Sequence, residues 1–308
     1  MKKIVISEFM DEAAVDDLRQ DFDVVYDPEL VDQTDRLFAE LSSAEGIIVR
    51  NRTQVRGALL DAAPNLKTVG RLGVGLDNID LEACKSRGIS VHPASGANDL
   101  SVAEYVITSA MSLLRGAYFG QARMVGGEWP RQEMSGGELA GKTLGLVGCG
   151  SIARETARLA RGLGMDIAGF DPFVPAEDTL WQSMTRHDAL DGLLVSSDVI
   201  SLHVPLTQGT KHLINSEALV AMRKGAVLIN AARGGVVDEE ALATALRRNQ
   251  IAGAALDVFE TEPLTAEAGA KFAGLTNLIL TPHIGGVTQE SNVRVSSLTA
   301  QNVRKSLS

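Results

Sequence analysis

The residues from Thr143 to Asp171 have types and spacing suited to holding a dinucleotide. Leu144–Val147 is an apolar run with the length and composition of a buried parallel strand. It enters Gly148-x-Gly150-x-x-Ala153, and apolar residues then recur at helical spacing from Ile152 to Leu163. Gly148 permits a tight turn, Gly150 lets the backbone come close to a pyrophosphate, and Ala153 is small enough for the helix to pack on the strand. The helix start at Ser151 and Ile152 offers N–H groups to the phosphates. A glycine pattern of this kind is weak by itself. Here a second apolar run, Asp166–Phe170, ends at Asp171, 21 residues after Gly150, where the adenosine ribose needs an acceptor. That carboxylate would repel a 2′-phosphate, and Pro172-Phe173-Val174-Pro175 supplies no Arg or Lys, so NAD is favoured over NADP.

Three later strand ends bring polar side chains to one edge of the same sheet. The segment Asn230 to Gly235 brings Arg233, the segment Asp257 to Pro263 brings Asp257 and Glu262, and the segment Thr281 to Gly286 brings His283. Nearer the N-terminus, Gly46 to Arg50 reads as a strand ending in Arg50-Asn51-Arg52-Thr53. Two arginines at a strand end suit an anionic substrate, although a single solvated Arg would be unremarkable. Gly73-Val74-Gly75 offers bare N–H groups that form either an anion nest, with Val74 and Gly75 at the ligand, or a tight turn with none. Cys149 inside the glycine turn is read as a small filler in preference to a redox group.

The elements that must position these groups alternate between strand and helix. The pattern predicts strands at Lys3–Ile6, Asp23–Tyr26, Gly46–Arg50, Leu66–Val69 and Ile89–His92, with helices over Asp11–Leu18, Asp35–Leu41 and Val55–Ala63 between them. A long helix is predicted from Ser101, its cap with Glu104 three residues on, to about Met124. After Asp171 come a mostly helical stretch from Trp181 to Leu194 and strands at Val199–Val204, Ala226–Asn230, Gly253–Val258 and Leu278–Leu280. A terminal helix, Ser291–Leu307, returns to the first domain. Such alternation implies open parallel sheets of the α/β class, whose ligands sit beyond the carboxyl ends of the strands.

Composition narrows the function classes. A chain of 308 residues suggests about two domains. With 45% hydrophobic and 22% charged residues it reads as an ordinary soluble globular protein. The formal charge of −10 argues against a nucleic-acid or anionic-membrane surface. Only two cysteines occur, far apart and in no metal-binding spacing, so no metal site is expected and a reduced, cytoplasmic setting is. Met1-Lys2-Lys3 could open a signal peptide, but Ile4–Ile6 is too short an apolar region and acidic residues follow at once.

Taken together and in order, Gly70–Asp80, Asn98–Glu104, Trp129, Gly141–Ala153, Asp171-Pro172, His203–Thr210, Asn230–Asp238, Asp257–Pro263 and Thr281–Gly286 resemble the D-isomer-specific 2-hydroxyacid dehydrogenase family, in its phosphoglycerate-dehydrogenase-like branch. The glycine motif departs only in ending at Ala153, a variant the family tolerates. The resemblance implies two doubly wound, Rossmann-like or flavodoxin-like parallel-sheet domains with an active-site cleft between them. Residues 1–98 plus 287–308 would bind substrate, and residues 99–286 would bind NAD. It implies a catalytic trio in which His283 exchanges the hydroxyl proton, Glu262 fixes the imidazole tautomer and favours its protonated form, and Arg233 clamps the carboxylate and 2-oxo oxygens. Cofactor contacts would come from Gly148, Gly150, Ser151, Ile152, Asp171, His203, Pro205, Thr210, Ala231, Arg233, Asp257, His283 and Gly285, with Asp257 at the nicotinamide carboxamide. Arg50, Arg52, Val74, Gly75, Arg233 and His283 would meet a small anionic 2-hydroxy or 2-oxo acid.

The paired arginines hint at a second anionic group on that acid, and Arg50–Thr53 with Gly70–Asp80 look most like chains acting on (S)-3-sulfolactate, 3-phosphoglycerate being the runner-up. A hydroxypyruvate or glyoxylate reductase is the alternative enzyme, and a corepressor-like NAD(H) sensor the alternative outside catalysis. The family also implies a homodimer formed through the long helix and its flanks, and closure about Asn98–Ser101 and Gly285-Gly286.

Overall fold

A computed structural model describes residues 1–308, which divide into two compact units, Met1–Asn98 with Val287–Ser308 and Asp99–Gly286. Both are α/β units built on wholly parallel sheets.

The first unit holds five strands, β1 (Lys3–Ile6), β2 (Asp23–Tyr26), β3 (Gly46–Val49), β4 (Thr68–Arg71) and β5 (Ser90–Pro93), in the order β2-β1-β3-β4-β5. Alternate residues of one strand serve opposite faces, which is why these strands read as unbroken apolar runs. Ile4, Ile6 and Ile48 join Val15, Leu18, Val303 and Leu307 under the helices Glu12–Arg19 and Gln289–Leu307. Val5, Ile47 and Val49 join Leu37, Leu41, Leu60 and Cys84 on the other face. The terminal helix starts with a capping box between Thr288 and Ser291 and lies so close to β4 that a Cβ on Gly70 would stand 2.6 Å from Val303 Cγ2.

The second unit holds seven strands, β6 (Thr143–Val147), β7 (Asp166–Phe170), β8 (Thr185–Arg186), β9 (Val199–Leu202), β10 (Val227–Asn230), β11 (Gly253–Leu256) and β12 (Leu278–Leu280), in the order β12-β11-β10-β9-β6-β7-β8. The order reverses between β6 and β9, and in such sheets the ligand crevice lies beyond the strand ends at that reversal. The glycine turn follows β6 directly.

Several expected elements differ. The helix expected from Ser101 to Met124 spans Asp99–Arg115, with Ser101 buried inside it instead of capping it. Gly116 then adopts the left-handed conformation (φ 66°), and only short turns at Ala117–Gly120 and Gln121–Val125 follow. The helical reading of Trp181–Leu194 gives way to a turn at Thr179–Gln182, the edge strand β8 and a helix from Leu190 to Ser196. Val55 pairs with Ile79 as an isolated bridge, which leaves Ala58–Ala62 as the helix there, and β4 runs two residues later than expected. No helix is long and apolar enough to cross a membrane.

Both thiols are interior, Cys84 at 0% and Cys149 at 1% exposure, and burial with the nearby Asp171 carboxylate pushes the Cys149 thiol up to about 12. Neither cysteine should therefore react with a disulfide reagent at pH 8 until the chain is unfolded, a result that stopped-flow thiol titration checks directly. Gly70→Ala should lower the melting temperature, at a cost of about 1–3 kcal/mol, because Val303 and Thr299 are stiff, buried neighbours with nowhere to retreat.

Candidate active site

Gly148 has φ +87°, and a Cβ there would stand 2.5 Å from the His203 carbonyl oxygen, so both conformation and space demand glycine. Gly150 faces open space within 4 Å of its missing Cβ. It is also the N-cap of the helix Ser151–Gly162 and offers no side chain to the helix's first N–H groups. A cradle of bare backbone at a helix start is what a pyrophosphate requires, and the residues present fit NAD. Asp171, just past β7, accepts the Cys149 N–H on Oδ2 (2.9 Å) and the Phe173 N–H on Oδ1 (2.9 Å). These bonds hold the carboxylate beside the turn and leave each oxygen a further lone pair for ribose hydroxyls.

The end of β9 lies against the glycine turn. Burial pushes the His203 pKa down to about 4, so the ring is neutral at ordinary pH, with Nε2 against Ser201 Oγ at 3.0 Å. The loop after it is tied by Thr210, whose hydroxyl donates to the Pro205 carbonyl (2.6 Å) and accepts the Thr207 N–H (2.8 Å).

At the ends of β10, β11 and β12 the polar residues meet. His283 Nδ1 lies 2.7 Å from Glu262 Oε2, and Glu262 Oε1 accepts the Phe259 N–H at 2.9 Å. Burial works to raise the Glu262 pKa. The hydrogen bonds from His283 and Phe259, with the charges of His283 and Arg233, outweigh it and leave the carboxylate below its usual range. The Glu262 bond occupies Nδ1, so Nε2 is the nitrogen left to face a substrate. Arg233 is held at the turn after β10, where Asn230 Oδ1 accepts the Ala232 N–H (3.1 Å) and Asn230 Nδ2 donates to the Arg233 carbonyl (2.9 Å), with Ala231 inside the brace. His283 sits at φ 55°, a left-handed conformation costing a non-glycine residue about 1–3 kcal/mol. Asp257 is 2% exposed, and its carboxylate accepts from Thr281 Oγ1 (2.6 Å), the Ile284 N–H (2.8 Å) and the Gly285 N–H (2.7 Å). Its side chain thus shapes the loop around His283.

In the first unit the two arginines part company. Arg50 is largely withdrawn from water, donates to Asn292 Oδ1 (2.6 Å) and lies 5.7 Å over the Phe9 ring; burial lowers its pKa. Arg52 extends outward to an ion pair with Asp32. The backbone between them wraps the buried Glu8 carboxylate, which takes the N–H groups of Arg50 (2.8 Å), Asn51 (3.3 Å), Arg52 (3.1 Å) and Thr53 (3.0 Å). After β4, Gly73 (φ 139°) makes room for the Arg71 guanidinium, which would meet any Cβ there at 1.7 Å. The N–H groups of Val74 and Gly75 donate to no acceptor in the protein. Tyr105, Thr281 and Asn292 carry no sign of these roles in the sequence, because each meets its partner only through the fold, whereas Asn230 braces the next turn through partners two and three residues on.

The model of the D-isomer specific 2-hydroxyacid dehydrogenase NAD-binding domain matches residues 107–285. The (S)-sulfolactate dehydrogenase of Chromohalobacter salexigens is 54% identical over 100% of this chain and 99% of its own length. The hydroxypyruvate reductase of Thermotoga maritima is 39% identical over 89% of each chain. Among solved structures, D-lactate dehydrogenase from Aquifex aeolicus complexed with NAD and lactic acid superposes with a TM-score of 0.84 at 31% identity, over 98% of this chain and 94% of that one. With these likenesses beside the geometry, the chain belongs to the D-isomer specific 2-hydroxyacid dehydrogenase family and is an NAD-dependent oxidoreductase acting on the CH–OH group of a 2-hydroxy acid.

Proposed function

We propose that the protein interconverts (S)-3-sulfolactate and sulfopyruvate, with residues 1–98 and 287–308 serving the substrate and residues 99–286 the cofactor. The observation that carries the catalytic part is the 2.7 Å contact of His283 Nδ1 with Glu262, within reach of the Arg233 charge. NAD supplies the chemistry of hydride acceptance and return at its nicotinamide. His283 Nε2 takes the hydroxyl proton in oxidation and returns it in reduction, while Glu262 keeps Nδ1 protonated and the ring in place. Arg233, permanently charged and planar, holds the carboxylate and the 2-oxo oxygen. His283, Arg233, Ala231, Gly285 and Asp257 serve the nicotinamide end of the cofactor. Gly148, Gly150, Ser151, Ile152, Asp171, His203, Pro205 and Thr210 serve the phosphates and the adenosine end.

Substrate choice rests on Arg50. A guanidinium withdrawn from water, oriented by Asn292 and Phe9, discriminates anions far better than one in solvent, and the 54% identical (S)-sulfolactate dehydrogenase supports a sulfonate as the second anion. Val74 and Gly75 bring their unoccupied N–H groups to the carboxylate. Arg52, paired with Asp32, has the smaller part. A hydroxypyruvate reductase is the second reading, favoured by the 39% identical relative of that name.

The protein is further proposed to be a cytoplasmic homodimer. Its two buried thiols suit a reducing compartment, and the exposed Tyr118, Val125 and Trp129 after the helix Asp99–Arg115 suit cover by a second copy. Light scattering that returns a monomer at micromolar concentration would remove the dimer.

Initial rates of NADH oxidation with sulfopyruvate, phosphohydroxypyruvate, hydroxypyruvate, glyoxylate and pyruvate test the substrate, and sulfopyruvate should lead. Arg50→Ala should raise its KM by about tenfold or more, while Arg52→Ala should stay within about threefold. An unchanged Arg50→Ala enzyme sinks the second-anion role. His283→Ala should lose at least about a hundredfold in kcat. NADPH should serve far worse than NADH, and Asp171→Asn, which keeps an acceptor for the Cys149 N–H but drops the charge, should narrow that gap by about tenfold.

A further inference from the structure

Tyr105, on the helix Asp99–Arg115, reaches the loop that carries His283. Tyr105 Oη lies 2.7 Å from Thr281 Oγ1, and Thr281 Oγ1 lies 2.6 Å from Asp257 Oδ1. Asp257 has no proton to give when ionised, so Thr281 donates to it and must accept the Tyr105 hydroxyl proton. The same ring lies under the loop, since a Cβ on Gly285 would stand 3.4 Å from Tyr105 Cγ. Beyond Asp257 the order continues into the backbone. Its Oδ1 and Oδ2 receive the Ile284 and Gly285 N–H groups, and its carbonyl receives the His283 N–H at 2.8 Å. Bonds thus flank both sides of His283, the residue in the left-handed conformation.

We propose that Tyr105 is a positioning residue: acting through Thr281 and Asp257, its hydroxyl holds His283 in the left-handed conformation and so aims the imidazole at the substrate hydroxyl. A left-handed non-glycine residue persists only where its surroundings over-determine it, and this relay supplies part of that determination from the helix Asp99–Arg115. The donor order makes the relay serial. Tyr105 acts only while the Thr281 hydroxyl is present, because Thr281 is its only link to Asp257.

The inference rests on His283 as the acid–base group, so His283→Ala is assayed alongside. In the full-length enzyme with saturating NADH and sulfopyruvate, or the best acceptor of the panel, Tyr105→Phe should lower kcat by about threefold and Thr281→Val by about tenfold, with KM for NADH little changed. Thr281→Ser should restore most of the loss. The double variant should be no slower than Thr281→Val, the signature of residues acting in series. Without cofactor or substrate, hydrogen exchange of residues 281–286 should quicken by about tenfold in Thr281→Val and less in Tyr105→Phe. Independent, multiplying losses, or exchange that is unchanged in both variants, would overturn the relay. Native turnover in Tyr105→Phe while His283→Ala is inactive overturns this inference alone. Native turnover in His283→Ala overturns the acid–base reading and this inference with it.

Discussion

A carboxylate at 2% exposure must collect donors or lose its charge, and the way Asp257 collects them organises the edge of the second unit that carries Arg233, Glu262 and His283. Its two oxygens take one hydroxyl and two backbone N–H groups, all from the segment after β12. Its own N–H goes to the Asn230 carbonyl, the end of the neighbouring strand. Thus the strand end bearing Arg233 and the strand end bearing His283 are registered on one residue between them. Glu262, five positions along the same segment, then meets His283 without any long or mobile linker. The geometry of the trio is a by-product of satisfying one buried charge.

The cofactor side obeys a different constraint, which is closeness of backbone. The Gly148 turn presses against the His203 carbonyl, and β6 and β9 stay hydrogen-bonded up to it, His203 N–H to the Val147 carbonyl at 2.7 Å, at the place where the sheet order reverses. Asp171 then closes the turn by taking the Cys149 N–H, so the residue proposed for the ribose is hydrogen-bonded to the turn proposed for the phosphates. Cys149 lies between them as interior filling, its thiol pushed up by burial and by the Asp171 carboxylate.

Much of this was legible from residue order, for reasons that also mark the limit. Strands buried on both faces, such as Ile4–Ile6 and Val227–Ile229, announce themselves as apolar runs. β8 did not, because Thr185 and Arg186 are exposed and form a two-residue edge. The helix from Asp99 was read too long because apolar spacing continues beyond Gly116, where a left-handed glycine ends it. Arg233, Glu262 and His283 stood out because each follows a strand within a few residues. Tyr105 and Thr281, 176 positions apart, bear no mark of each other. Nor did the spacing of Arg50 and Arg52 foretell their divergence, which is set by Asn292 and Asp32 on remote segments.

The loop Arg50–Thr53 encloses an anion of its own, the Glu8 carboxylate bound by four consecutive N–H groups. Folding therefore saturates the backbone of this loop and fixes its shape before any substrate arrives. Under the proposed role of Arg50, a substrate would meet a stiff mould, and little of its binding free energy would be diverted into ordering the chain. The same internal occupant leaves those four N–H groups no vacancy in which stray phosphate or chloride could seat.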